Sequence, residues 1–520
     1  MNRPATIHHL VVIHYHLRPG GVRSVIDAAL PAIAKAAGPS LRRITLAVGE
    51  PSPDQWGSDL SRALRPVGMD IFVEPAFGYF SEQRSAPAFL RMRIRDALCR
   101  LIPAPDAAGT LVWFHNPALG RNAILGDEVG RLGKKIGVPA ILHHHDFWCA
   151  NRWTRWSEMR KCGYHSPAAA ARAIFADQAR SAHIAINSTD RNSLRAGFGR
   201  HAYRLPNPLP SCLPVSPANV KRAARWLANA TGSDVPIWIC PTRVLRRKNI
   251  AESILLARWL RPDACLAITA GVSSSDELDY ASRLESAARD ANWNVRFGLL
   301  AGRQGPPVRD LIAASEAVVL TSVQEGFGMG FVEAHSKPLI ARALPEILPD
   351  LRALGYRFPH LYKEVLVAPE LVDRKAEAAR QKRLWTVWRA GLPGGWRRHA
   401  EKPLFLELSG SDPVPFSRLT LTAQLEILAL PPDLTWNACK SHNPKLNRLR
   451  ASGLTGLEPT PGPKPDVLHD ATAFAREWLR IATSIPARPH AGGSAPAAQK
   501  ALAGRALATS GFFPIQHEIR

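Results

Sequence analysis

AVVLTSVQEGFGMGFVEAHS, residues 317 to 336, decides how the chain is read. The apolar run Ala317 to Ser322 has the make-up of a buried strand, and FVEAHS opens like a helix. Between them lie Gly326, Gly328 and Gly330, bracketed by Glu325 and Glu333 with seven residues between the carboxylates. Strand, glycine turn, helix is the order in which a parallel α/β sheet offers free backbone N–H groups and a positive helix end to phosphate. Glycines there let the backbone approach a ligand closely and adopt positive φ. With a helix starting near Gly328, Glu333 sits about 7 Å along its axis at ~1.5 Å per residue, with Glu325 in the turn below. Two carboxylates so placed can accept hydroxyl hydrogen bonds from both ends of a ligand shaped as hexose, diphosphate and ribose. Taken alone, such a pair also arises as a helix cap and a solvated helix residue.

Upstream, PIWICPTRVLRRKNIAESILLARWL (236–260) reads as strand, basic loop and amphipathic helix. Arg243 and Lys248 sit at the junction, where Arg can grip a diphosphate with its fork and Lys as a point charge. In a chain this basic, a solvated loop is the competing reading, and Arg246 and Arg247 are assigned to it.

These motifs resemble a retaining glycosyltransferase of the GT-B fold, specifically glycosyltransferase family 4. That family carries an arginine and, five positions on, a lysine after the first strand of its C-terminal domain, matched by Arg243 and Lys248. Its Glu-(seven residues)-Glu motif is matched by Glu325 and Glu333, with Gly326, Phe327, Gly328 and Met329 as further donor-binding positions. CLAITAG (265–271), VRFGLL (295–300) and AVVLTS fit its strands, and LIAASE its helix before the last of them. SKPLIARALPEIL (336–348) resembles the segment after the motif, but has Leu344 and Pro345 where two glycines are usual. At the N-terminus, HLVVIHYHLRPGGVRSVIDAALPAIAKA (9–36) reads as strand, turn and helix, with Gly20 and Gly21 at the family's donor-facing glycine loop. A signal peptide does not fit, because two histidines and an arginine interrupt a short apolar core. His145 and Asp146 match a His-Asp pair whose histidine approaches the donor hexose in such enzymes, and Asn116 falls on the acceptor side. Alternation puts His143 and His145 on one strand face and His144 on the other; no Cys or carboxylate spacing completes a zinc set, so no metal is expected.

The resemblance implies two Rossmann-like α/β domains facing across a cleft, doubly wound, followed by a C-terminal extension. The expected limits are residues 1–210 for the acceptor-side domain and 215–370 for the nucleotide-sugar-binding domain. Residues 371–485 form an extension holding a return helix, either FSRLTLTAQLEILAL or DATAFAREWLRIATSI, and 486–520 a mobile low-complexity tail. The implied activity moves a hexose with retention from a UDP- or GDP-sugar to a hydroxyl acceptor (a glycan, glycolipid or small molecule), without a cofactor. Surface glycan or lipopolysaccharide synthesis is the first expectation and a small soluble glycoside the second. Glycogen-type phosphorylases and nucleotide-sugar epimerases share the fold; the first need a pyridoxal-bearing lysine, and the second lack this carboxylate spacing.

A net charge of +24 admits nucleic acid, anionic lipid or anionic substrate as partner. The arginines are spread along the whole chain, and a nucleic-acid-binding protein leaves the donor motifs unexplained, so no nucleic acid is expected. Seven cysteines without paired spacing fit a reducing cytoplasm, and no run of about 18 apolar residues offers a membrane span. DRKAEAARQKRLWTVWRAGLPGGWRRHAEK (373–402) interleaves cations with Trp385, Trp388 and Trp396. It reads as peripheral contact with an anionic inner-membrane surface, or as an insertion whose tryptophans pack on the second domain.

Overall fold

The computed structural model describes residues 7–52, 55–176, 180–209, 214–232, 234–272, 274–463, 469–485 and 494–518. The chain divides into two units, the first comprising Met1–Leu209, Gly391–His399 and Leu468–Leu507, the second Pro210–Ala390, Ala400–Val467 and Ala508–Arg520. Among the described residues no helix is long and apolar enough to cross a membrane. The six described cysteines form no disulfide.

The first unit is built on strands β1 (His9–Ile13), β2 (Arg43–Val48), β3 (Gly68–Val73), β4 (Thr110–His115), β5 (Ala140–His144), β6 (Ser181–Ala185) and β7 (Ala202–Arg204). They lie in the order β3-β2-β1-β4-β5-β6-β7, every neighbour parallel. Sheets covered by helices on both faces need strands apolar throughout, and β1, β4, β5 and β6 are buried along nearly their whole length. Helix Ala471–Ser484 returns to this unit and lies on helix Gly21–Ala37, burying Phe474, Trp478 and Ile481 at helical spacing among Leu10, Ile26, Leu30 and Ile33. Of the two candidate return helices it is the one that closes on the first sheet; Leu421–Ala429 stays in the second unit.

The second unit repeats the plan with β8 (Ile237–Arg243), β9 (Cys265–Ala270), β10 (Val295–Arg296), β11 (Ala317–Leu320), β12 (Leu339–Arg342) and β13 (His360–Tyr362), in the parallel order β10-β9-β8-β11-β12-β13. Each sheet is doubly wound, and its strand order reverses at one point: beside β1 and β4 in the first, beside β8 and β11 in the second. Ligands bind outside the carboxyl ends of strands at such a point.

Three stretches differ from their sequence reading. VRFGLL keeps only two strand residues, because Gly298 turns the chain at φ +61°. The expected tail, 486–520, falls partly outside the described residues, but 495–507 form a helix packed on helix Ser188–Phe198. Alanines make this packing close: a Cβ on Gly197 would lie 2.8 Å from the Ala498 side chain. Gln499 fixes the helix by accepting from Trp148 Nε1 at 3.0 Å and donating to the Pro167 carbonyl at 2.8 Å. In the basic segment the tryptophans pack on protein. Trp388 is buried beside Phe512 and His517, Trp385 donates to the Glu401 carbonyl, and Trp396 stacks on Trp148.

Candidate functional site

At the switch point of the second sheet, β8 ends in Arg243 and runs through a basic turn, Arg246–Lys248, into helix Ile250–Leu260. The hinge is Asn249, left-handed at φ 48°, its Nδ2 donating to Glu252 Oε2 at 3.0 Å. Glu252 is fully buried, pairs with Arg342 and accepts from the Tyr362 hydroxyl at 2.7 Å. A buried carboxylate of this kind is tolerated only because its oxygens are satisfied. From β11, Thr321 donates to the carbonyls of Lys248 and Asn249, each at 2.9 Å, and accepts from Ser253. The two strand ends are thereby locked to each other.

On this scaffold the Glu325 carboxylate is clasped. Lys248 Nζ donates to it, Arg247 Nη1 donates at 3.0 Å and Ser322 Oγ at 2.6 Å. The two cations hold Glu325 down at about 2 against the opposing effect of burial. Burial lowers the Lys248 ammonium, a shift that Glu325 opposes. Glu333 contrasts with Glu325: it makes no hydrogen bond or ion pair among the described residues, and burial raises its carboxyl to about 7. A half-buried, unpartnered carboxyl is a natural acceptor for ligand hydroxyls.

The glycine turn departs from the expected one. Gly328 alone of the three turn glycines is left-handed, at φ 87°, and a Cβ there would also meet Ile347 at 2.6 Å. The helix it caps is only Met329–Glu333, five residues rather than a long one through FVEAHS. Beyond its end the backbone is not helical: Ser336 is left-handed at φ 67°, and Pro338 disfavours helical backbone at Lys337. So short a helix has little dipole, and the positive charge at this turn comes from the side-chain cations. Phe327 is buried, while Met329 and Gly326 are half-buried around the turn.

The assignment of Arg246 and Arg247 to a solvated loop is wrong. Arg247 grips Glu325 and the Gln324 carbonyl, and Arg246 binds the Asp276 carbonyl and Glu277. Arg243 is exposed at the end of β8. Sequence reasoning also missed Ser322, Thr321 and Gln516, whose amide donates to Gln324 Oε1 at 3.2 Å from near the end of the chain. Adjacency to Lys248 was the available signal for Arg247. Nothing local in sequence pointed to Gln516.

In the first unit, His145 and Asp146 follow β5, and Asn116 follows β4. Asn116 is left-handed at φ 59°, and its Oδ1 accepts from the His145 and Asp146 amides at 3.2 and 2.9 Å. That side chain is buried and engaged in shaping the turn. Asp146 pairs with Arg152 at 3.3 Å. The His145 ring is stacked with His115 and His143, and burial drops it to about 4, so it is neutral near pH 7. Gly20 is extended and caps helix Gly21–Ala37 without a side-chain bond; a Cβ on Gly21 would meet nothing within 4 Å.

No protein-family model matches the chain. It is similar to mannosylglucosyl-3-phosphoglycerate synthase of Petrotoga mobilis, 23% identical over 362 residues, spanning 66% of this chain and 67% of the relative. Among solved structures, HepE of Anabaena in complex with UDP-glucose aligns over 91% of this chain and 98% of its own, with TM-score 0.49 and 13% identity. Sucrose-phosphate synthase from Thermosynechococcus elongatus aligns over 85% and 98%, with TM-score 0.45 and 18% identity.

Proposed function

We propose that the chain is a glycosyltransferase that moves a hexose from a UDP- or GDP-sugar to a hydroxyl acceptor with retention of configuration. The observation that carries this reading is the asymmetry of the two carboxylates at the second switch point. Glu325 is held ionised by Lys248 and Arg247, and Glu333 is left unpartnered at the other end of the motif. A donor diphosphate entering beside Lys248 exchanges one anion for another on cations already in place. Preorganised charge of this kind stabilises a departing β-phosphate. Glu333 accepts from the ribose hydroxyls, and Glu325, released in part from Lys248, orients the hexose.

In the transfer step the bond from the anomeric carbon to the β-phosphate oxygen breaks. The acceptor oxygen bonds to that carbon on the same face, and its proton passes to the departing phosphate. Neither carboxylate needs to act as nucleophile. With Lys248 and Arg247 supplying positive charge, the donor needs no Mg²⁺ or Mn²⁺.

For the acceptor, a small anionic hydroxyl compound fits better than a surface glycan. The chain carries +24, and the similar Petrotoga protein is named for a phosphoglycerate product. Incubation with UDP- and GDP-hexoses and phosphorylated acceptors, followed by NMR of the product, tests the proposal. An α-linked glycoside with release of nucleoside diphosphate is expected. A β-linked product would overturn retention, and no turnover of any nucleotide sugar would overturn the activity.

A further inference from the structure

We propose that His115, His143 and His145, at the carboxyl edge of the first sheet, bind a divalent transition-metal ion of the zinc class. The proposal holds whether or not the chain transfers a sugar. The sequence offers only two imidazoles on one face of β5. The third comes from the neighbouring strand, because the β4–β5 register sets His115 directly opposite His143. The i, i+2 alternation then brings His145 to the same face. One ring nitrogen from each of the three lies within 4.8 Å of the others, and His115 Nδ1 and His145 Nε2 are 3.1 Å apart.

A zinc ion with nitrogens at ~2.0–2.1 Å spaces them by about 3.4 Å in a tetrahedron. The 3.1 Å pair is already near that edge; bringing in the third nitrogen takes roughly an ångström and a half of ring movement. The donor set is also the right kind: three neutral imidazoles suit zinc-class ions and leave a fourth position open.

The second observation is unsatisfied polarity. Both ring nitrogens of His143 are buried without a hydrogen-bond partner among the described residues, whereas the facing nitrogens of His115 and His145 already share a hydrogen bond. A buried polar group left unpaired is costly, and ligation satisfies a nitrogen that nothing else reaches. The walls are apolar and fix the rings: Trp113 and Phe474 both stack on His143, with ring centroids 6.0 and 6.3 Å away. His145, 8% exposed at the strand end, is the side from which an ion enters. His144 faces away and pairs with His183 at 3.3 Å, so it serves as the internal control.

The test uses full-length protein stripped by chelator dialysis and titrated with Co²⁺, then with Zn²⁺. One equivalent of Co²⁺ is expected to give tetrahedral d–d bands without thiolate charge transfer, and Zn²⁺ to displace it. His143→Phe should weaken binding by about a hundredfold or more, since loss of an outer-shell partner alone costs 10–100-fold. His144→Phe should bind as the wild type does. Should His143→Phe fail to fold by circular dichroism, His145→Asn, at the exposed end of the cluster, is expected to show the same loss. Absence of stoichiometric Co²⁺ binding, a thiolate band, or undiminished binding in the folded histidine variant would overturn the site.

Discussion

At the first switch point the strand ends carry imidazoles: His14 just beyond β1, His115 at the end of β4, His143 to His145 at the end of β5. At the second, β8 and β11 lead into Arg247, Lys248 and Glu325. The backbone plan is the same in both sheets, and the chemistry is not. Burial drives the imidazoles toward neutrality, with His14 and His144 at about 3, so the first cluster carries no net charge near pH 7. In the second, burial acts against groups that hold one another ionised, and Glu325 stays near 2. Buried charge survives where partners are within hydrogen-bond reach, and neutral polar groups are left where they are not. By their chemistry, an anionic ligand suits the charged cluster and a metal ion the neutral one.

Variants can break this contrast. The largest effect is expected at Glu252, the carboxylate beneath the charged loop. Glu252→Ala strands the Arg342 guanidinium in the core and should cost about 3–5 kcal/mol, read from denaturant unfolding. A loss under about 1 kcal/mol would mean that the loop is not anchored there. Next is Lys248→Ala, expected to weaken nucleoside diphosphate binding by about 1.5–3 kcal/mol, the worth of a charge-assisted hydrogen bond, while sparing the nucleoside. Equal loss for both ligands, by calorimetry, would make Lys248 structural.

The two carboxylates should then separate. Glu325→Gln should lower turnover by about a hundredfold while leaving free UDP or GDP bound. Glu333→Gln should weaken the nucleotide itself by about 1 kcal/mol. Like behaviour of the two variants would end their assignment to opposite ends of the donor. The smallest effect is on pH. The empty site prefers protonated Glu333 up to about 7, and ribose hydroxyls donate to the ionised form. Nucleotide affinity should therefore rise as pH climbs from about 5 through 7 and level off above, by linkage. In Glu333→Gln that slope should vanish; a wild-type affinity flat over the range would remove the ribose role.

Much of this was legible in residues 236–260 and 317–336, because parallel strands are nearly all apolar and their ends are marked by glycine or charge. Lys248 and Glu325 were legible as site positions for that reason, but the ion pair between them was not. Arg247 was not, since composition made every arginine look solvated, and only the fold shows which one faces a carboxylate. The histidine triad was half legible: alternation joins His143 to His145, but strand register supplies His115. Residues 495–507 misled, because alanine-rich sequence looks the same whether it is loose or packed close against Gly197. Gln516 reaches Gln324 across 192 positions, a contact no local pattern encodes.

Thermal unfolding in the presence of UDP, GDP, the matching nucleosides and an oligonucleotide tests the central claim most directly. UDP or GDP is expected to raise the melting temperature, as any ligand of the native state must, with the nucleosides giving little. Stabilisation by the oligonucleotide with steep salt dependence, and none by either diphosphate, would contradict it.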